Sequence, residues 1–244
     1  MVRAQFVAPS HPSLVPYDGS FRITDAPTRV EVKNADDRLD GLGEELEDLQ
    51  RALVAMNRWA VLLVFQGIDA AGKDSTIRAV MSKMDPAGIH VRAFGLPSTE
   101  ELDHDFLWRI TKHLPERGQI GVFNRSHYEE VLAVRVHPEF LEGQRLPFVP
   151  TLEQLWDQRY ESIRDYERHL ARNGIAIVKF WLNVSKEEQR QRFRSRLDDP
   201  KKYWKFDEGD IRERARWDDY QAAFEAMVNA TSRPWAPWYA VPAD

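Results

Sequence analysis

Ala60-Val-Leu-Leu-Val-Phe-Gln-Gly67-Ile-Asp69-Ala-Ala-Gly72-Lys73-Asp74 decides how the rest of this chain is read. Ala60 to Phe65 is a continuous apolar run closed by a glycine-containing loop, which predicts a strand buried on both faces. Gly67 to Lys73 then fits G-x-x-x-x-G-K. In such a loop two glycines let the backbone curl until successive N–H groups point inward at phosphate oxygens. A helix predicted from Asp74 to about Met84 would add the partial positive charge of its N-terminus. The motif alone is common; joined to a buried strand before it and a helix after it, it is not.

Upstream, Leu39, Leu42, Leu46, Leu49 and Leu53 form one stripe of an amphipathic helix that begins at Asp36. Core packing is the usual use of such a stripe, and a helix pair between subunits the rarer one. Before it, residues 1–35 carry Pro9, Pro12, Pro16 and Pro27 without helical periodicity, and read as an extended arm or a loose tail. Downstream, strands are expected at His90–Phe94, Ile120–Phe123, Ile175–Leu182 and Trp238–Val241. Helices are expected at Glu100–Lys112, from Ser126, at Leu152–Arg172, from Ser185 and at Glu208–Asn229. Pro138 to Pro150 reads as a surface loop. Strand and helix alternating this regularly predict an α/β fold, a parallel sheet with helices on both faces, filling residues 36–244.

The composition excludes several classes. Eleven per cent aromatic residues and eight tryptophans argue against general disorder. The longest apolar run is far short of the roughly 18 residues that span a bilayer, and Met1 to Phe6 hold no signal-like stretch. No cysteine is present, which removes disulfides, thiolate metal sites and cysteine nucleophiles and fits a reducing, cytoplasmic setting. A net charge of −5 is not that of a nucleic-acid coat. Charge is uneven, however. Between Lys186 and Lys205 eight basic residues outnumber four acids, a local +4 that reads as a polyanion dock or as a solvated helix face.

The chemistry gathers around the loop. The backbone from Gly67 through Ala70, Ala71 and Gly72 to Asp74 would cradle phosphate, with Lys73 as a mobile positive charge. The residue after the lysine is usually a hydroxyl that ligates magnesium; here it is Asp74. With Asp69 it places two carboxylates where phosphate must sit, which calls for a divalent cation between them and makes both candidate magnesium ligands. Asp74 could equally be a helix N-cap. The second motif is Asn124-Arg125-Ser126-His127-Tyr128-Glu129, at the carboxyl end of a predicted strand where ligands of parallel sheets bind. Arg125 could fork onto phosphate, and Glu129, one turn on, could orient it. His127 reads as a packed residue rather than a base. In the basic helix Arg190 and Arg194 share one face and Arg192 and Arg196 nearly the opposite one, with Lys201 to Lys205 continuing as a loop. Small kinases close a lid of this kind over phosphates, here at about residues 186–210.

Taken together, GIDAAGKD, FNRSHYEEVL, KFWLNVSKEEQRQRF, DDPKKYWKF and PWYAVPAD resemble the polyphosphate kinase 2 family, from about Leu39 to the end. The resemblance implies a P-loop kinase-like fold with a helical lid. It also implies reversible, magnesium-dependent transfer of phosphate between inorganic polyphosphate and a nucleoside mono- or diphosphate. By motif, Asp69, Lys73, Asn124 and Arg125 match the family's catalytic positions, and Arg190 and Arg194 its lid arginines, with Lys205 beside them. Many members carry Asp where this chain has Asn124, and the version here resembles the class that accepts both mono- and diphosphates. Members usually continue with another helix past the Pro-Ala-Asp at which this sequence stops. A homo-oligomer is expected, with neither nucleic acid nor membrane as partner. The competing readings are an ATP-dependent nucleotide or metabolite kinase and a non-catalytic nucleotide-binding module.

Overall fold

Strand β1 (Ala60–Gln66) divides its side chains between two layers, as a strand's period of two requires. Leu62 and Val64 enter the larger apolar cluster, while Phe65, Val61 and Leu63 pack into the smaller one on the other face. The computed structural model describes residues 6–205 and 208–244. Its sheet adds β2 (Ile89–Ala93), β3 (Ile120–Asn124), β4 (Ile175–Asn183) and β5 (Trp238–Pro242), all parallel, in the order β2-β3-β1-β4-β5. Helices α1 (Ala35–Met56) and α2 (Lys73–Met81) supply Leu53, Ile77 and Met81 to the smaller cluster. After the short turns α3 (Thr99–Leu102), α4 (Trp108–Thr111) and α5 (Ala133–Val136) comes the long α6 (Leu152–Arg172). It joins α9 (Trp217–Thr231) over the larger cluster, with α7 (Lys186–Asp198) and α8 (Glu208–Ala215) between them in the chain. The expected α/β architecture is therefore present, and no helix among the described residues is long and apolar enough to cross a membrane.

Five elements differ from their sequence reading. Helix α1 forms, but it docks through Gly43 and Gln50 rather than through the whole leucine stripe. Gly43 is so close that an added Cβ would meet Lys83 Cβ at 2.9 Å, and the buried Gln50 amide exchanges two 2.8 Å hydrogen bonds with the Asp85 backbone. That turn of the helix leaves Leu42 and Leu49 exposed while Leu46 and Leu53 pack. Residues 100–112 are two turns, not one helix: Ser98 and Glu101 close a capping box, and Asp105 accepts from Leu107 N at 2.9 Å, restarting the chain. After Ser126 the chain makes a 3₁₀ turn, His127–Val131, because Ser126 Oγ takes the Tyr128 N–H. The helix expected over 208–229 breaks at Arg216 into α8 and α9, and the expected loop after Pro138 winds into a 3₁₀ turn, Pro138–Gln144.

The proline-bearing segment lies over the sheet edge as an arm. Val15 N donates to Trp238 O and Ala240 N to Ser13 O, at 2.9 and 2.8 Å, so residues 13–15 shield the free edge of β5. Val15 is fully buried, and Phe21 meets Trp181 edge-on at 6.1 Å.

Beneath the sheet's larger face sits a charge that periodicity does not announce. Lys179, in the middle of β4, is wholly buried. Its ammonium donates to Glu167 Oε2 (2.6 Å), Tyr128 Oη (2.7 Å) and Thr231 O (3.0 Å), which uses all three of its protons. Glu167 takes a further bond from Tyr128 Oη at 2.7 Å. The pair ties β4 to α6, to α9 and to the turn that follows β3. Burial pushes the Lys179 pKa down, and Glu167 offsets part of that. Removing one partner strands a charge in an apolar core. Lys179→Met is therefore expected to lower unfolding free energy by about 3–5 kcal/mol in urea titrations, and Lys179→Met with Glu167→Leu by clearly less.

Candidate active site

The loop between β1 and α2 is held in the form its glycines permit. Gly72 has φ +99°, and Gly67 packs so tightly that a Cβ there would lie 3.0 Å from Ala71 Cβ and 3.2 Å from Leu182 O. Gly72, not Asp74, occupies the N-cap of α2, and no side chain caps that end. Asp74 is thereby free to meet β3: its Oδ1 accepts from Asn124 Nδ2 at 2.6 Å. Lys73 is buried with its ammonium turned back on the loop, donating to Gly67 O (2.6 Å) and Ile68 O (3.1 Å). Asp69 faces across to β3, where it is ion-paired with Arg125.

Arg125 is held from several sides. It stands at φ +60°, an uncommon conformation for a side-chain-bearing residue, with its N–H on Phe65 O at 3.0 Å. Its guanidinium lies between Asp69 and Glu129, the latter at 3.4 Å. Glu129 and Asp69 hold its pKa up against burial. Gln66, wholly buried at the end of β1, has its amide 3.1 Å from Ser126 Oγ and 2.9 Å from Glu129 Oε1, so it braces the same turn. His127 is buried with neither ring nitrogen hydrogen-bonded, and burial lowers its pKa. It packs and cannot reach the cleft.

Helix α7, expected from sequence to be a lid, approaches the loop by the face that carries Gln189, Arg192 and Arg196, not the one that carries Arg190 and Arg194. Gln189 Nε2 donates to Asp69 O (2.9 Å) and Arg192 to Ala70 O (3.1 Å), with Arg192 Nε on Glu188 (2.8 Å). Arg192 also reaches Ala243 O. Arg196, bonded to Asp210 at 3.0 Å, lines the same cleft. Arg190 is half exposed and 3.6 Å from Glu187, and Arg194 is exposed; neither lines the cleft in this arrangement. The deciding side chain is Phe193, the one large apolar residue in the middle of the helix, which is buried. At 100° per residue, positions 189, 192 and 196 fall on one side of it and 190 and 194 on the other. Lys205 ends the turn Pro200–Lys205, and its side chain lies outside the described residues.

The result is a cleft of about 370 Å³ bounded by residues 69–75, with Arg78, Asn124, Arg125, Arg192 and Arg196 on its rim. Four arginines and a lysine face two carboxylates, the balance that a multiply charged phosphate would require. Arg78, Gln66 and Gln189 were not among the residues singled out from sequence, and Arg192 and Arg196 are the pair on the basic helix to which the family motif assigned no role. Asp69 and Asp74 suit magnesium in donor chemistry, since that ion is commonly held by one or two carboxylates, with waters and substrate phosphates completing its shell. Among the described residues there is no cluster of three or more His, Cys, Asp or Glu that could hold a metal.

The family described as polyphosphate kinase 2 matches residues 29–244, nearly the whole chain. The chain belongs to the polyphosphate kinase 2 family. An "ADP-polyphosphate phosphotransferase" of Rhodopseudomonas palustris is 56% identical over 202 residues, covering 82% of this chain and 70% of that one. An "AMP/ADP-polyphosphate phosphotransferase" of Meiothermus ruber is 47% identical over 203 residues, covering 83% and 72%. A solved polyphosphate kinase 2 from Arthrobacter aurescens TC1 superposes with a TM-score of 0.80 at 41% identity, over 92% of this chain and 77% of that one. The five-stranded parallel sheet flanked by helices is thus the framework of this kinase family.

Two outcomes follow from the geometry of this family member. Burial first, and Arg125 second, bring the Lys73 pKa down to about 8, against Asp69, Glu129 and Asp74 pulling it up. Lys73 is charged below that value and neutral above it. Anion affinity, read as KM for the phosphate donor, is expected to hold from pH 6.5 to 7.5 and to worsen progressively above pH 8. Arg192→Ala removes a charged bond to the loop, worth about 1.5–3 kcal/mol, and is expected to cut kcat/KM by roughly tenfold or more. Arg190→Ala, assayed alongside, is expected to change it by about twofold or less, as for an exposed surface pair.

Proposed function

We propose that this chain transfers the terminal phosphoryl group of inorganic polyphosphate to a nucleoside mono- or diphosphate, reversibly and with magnesium. The observation that carries this reading is the cleft itself: a glycine loop, a buried lysine and four arginines converge on one phosphate-sized space with two carboxylates at its edge. The names of the Rhodopseudomonas and Meiothermus relatives supply the donor and the ADP and AMP acceptors.

Transfer requires donor and acceptor oxygens in line and charge neutralised between them. The loop N–H groups and Lys73 take the donor phosphates, with Lys73 exchanging its bonds to Gly67 O and Ile68 O for phosphate oxygens. Arg125, aimed by Glu129 and braced through Gln66, forks onto the phosphoryl group in flight. Arg192 and Arg196 hold the polyphosphate side, with the exposed Arg190 and Arg194 available to a longer chain. Asp69 and Asp74 would hold magnesium, the latter oriented by Asn124. Bound there, magnesium would supply charge neutralisation to the phosphates. A nucleotide phosphate is already ionised near neutral pH, so no general base is needed, consistent with a packed His127. The exposed Leu42, Leu49 and Met56 on α1 support self-association as a homo-oligomer.

The direct test supplies magnesium and medium-chain polyphosphate as sole donor and follows ADP from AMP and ATP from ADP. Turnover with both acceptors is expected. Lys73→Ala and Asp69→Ala are each expected to abolish it with an unchanged circular-dichroism spectrum. Activity from ATP onto another acceptor, with none from polyphosphate, would overturn the reading.

A further inference from the structure

The end of the sheet away from the phosphate cleft carries a second concentration of positive charge. Arg58 and Trp59 precede β1, Arg117 precedes β3, and Arg172 closes α6 just before β4. Backbone bonds pin these approaches together: Gly118 N to Trp59 O at 2.7 Å, and Ala60 N to Gly174 O at 2.9 Å. Arg117 Nη1 donates to Arg58 O at 2.6 Å and overlies Gly174, where a Cβ would lie 3.0 Å from that nitrogen. The three arginines line one open cavity of about 750 Å³ with Asn57, Trp59 and Gly174. None of the three is ion-paired with a carboxylate among the described residues. Since β1 advances about 3.3 Å per residue, this cavity lies roughly 20 Å from the glycine loop.

A neighbouring cavity of about 1090 Å³ shares Trp59 and Arg172 and adds Tyr17 and Trp235. Its walls are largely apolar and aromatic. Arg168 is placed with its guanidinium 5.9 Å from the Trp235 ring centroid and is paired with Asp165 at 2.5 Å, so the one lining arginine with a carboxylate partner sits on the aromatic side. Uncompensated arginines repel one another and focus an anion, and their planar forks suit phosphate. Bare polyphosphate would have no use for the aromatic half. A ligand with phosphates at one end and a flat ring at the other uses both.

We propose that this end of the sheet is a second nucleotide site, distinct from the catalytic cleft, with phosphates on Arg58, Arg117 and Arg172 and the base against Trp59. The assignment stands apart from the reaction proposed above, because it concerns binding at residues that take no part in transfer. The test is equilibrium dialysis of the full chain against radiolabelled ADP. Wild type is expected to bind one more ADP per chain than Arg58→Glu/Arg172→Glu, both of whose changed side chains are exposed, while turnover at saturating substrate is the same. Trp59→Leu is expected to weaken that extra site by tenfold or more. Equal ADP counts in wild type and the charge-reversed protein would overturn the proposal. Displacement of the extra ADP by tripolyphosphate at an equal concentration would also overturn it, assigning the cavity to bare phosphate instead.

Discussion

The ion pair between Asp69 and Arg125 joins the two strand ends on which everything else at the site is built. One partner sits in the loop after β1, the other at the tip of β3, and these strands are neighbours in register from Val61 with Ile120 to Phe65 with Asn124. A phosphate cleft without phosphate is an electrostatic problem: Lys73, Arg125, Arg192 and Arg196 cannot crowd together unless something negative stands between them. In this chain the protein supplies its own acceptors, two of them carboxylates. Asp69 and Glu129 hold Arg125, Gly67 O and Ile68 O hold Lys73, and Ala70 O holds Arg192. The positive groups are thereby held in fixed positions around the cleft, as electrostatic preorganisation requires.

That arrangement needs a rigid floor, and Lys179 with Glu167 provides it. The pair lies under the turn that carries Ser126 to Val131, because Tyr128 of that turn is one of the three groups Lys179 bonds. Whatever fixes Tyr128 also fixes Arg125, three residues away, at its unusual φ. A buried ion pair is seldom a source of net stability, but here every donor of Lys179 has an acceptor, so the geometry is unique. A purely apolar β4 would pack as well and leave the turn free to shift.

Much of this was readable from the residues alone, where the cause of structure is local. The strand, loop and helix around Gly67–Lys73 follow from periodicity and two glycines, and the alternation of elements specified the parallel sheet. The readings that changed were those in which a side chain competes with the helix for the backbone: Asp105 and Ser126 each take an N–H that a continuous helix would need. The leucine stripe of α1 located the helix but not its docking face, because Gly43 and Gln50 allow closer and more specific docking than leucines do. At the site, Asp69, Lys73, Asn124 and Arg125 were visible as motifs, but which arginines of α7 turn inward was a question of helix phase. Phe193 answers it, and its weight as the lone anchor shows only once the helix is seen against the sheet.

The same helix is the meeting point of residues 26–28 and 243–244. Ala243 N and Asp244 N donate to Thr28 O at 2.9 and 2.8 Å, and Asn183, at the end of β4, bonds Ala26 O and Pro27 O at 3.1 Å. Asp244 Oδ1 accepts from Ser185 N at 2.6 Å, beside the cap of α7, and Arg192 spans from Ala243 O to Ala70 O. Arm, last strand, the base of α7 and the glycine loop thus share one hydrogen-bonded knot. Ser185 and Arg192 anchor the first turns of α7, and Arg196 bonds Asp210 one turn further on. The helix can therefore present Gln189 and Arg192 to the loop in one register only, because both of its neighbours in the chain, β4 before it and α8 after it, are tied to the same set of bonds.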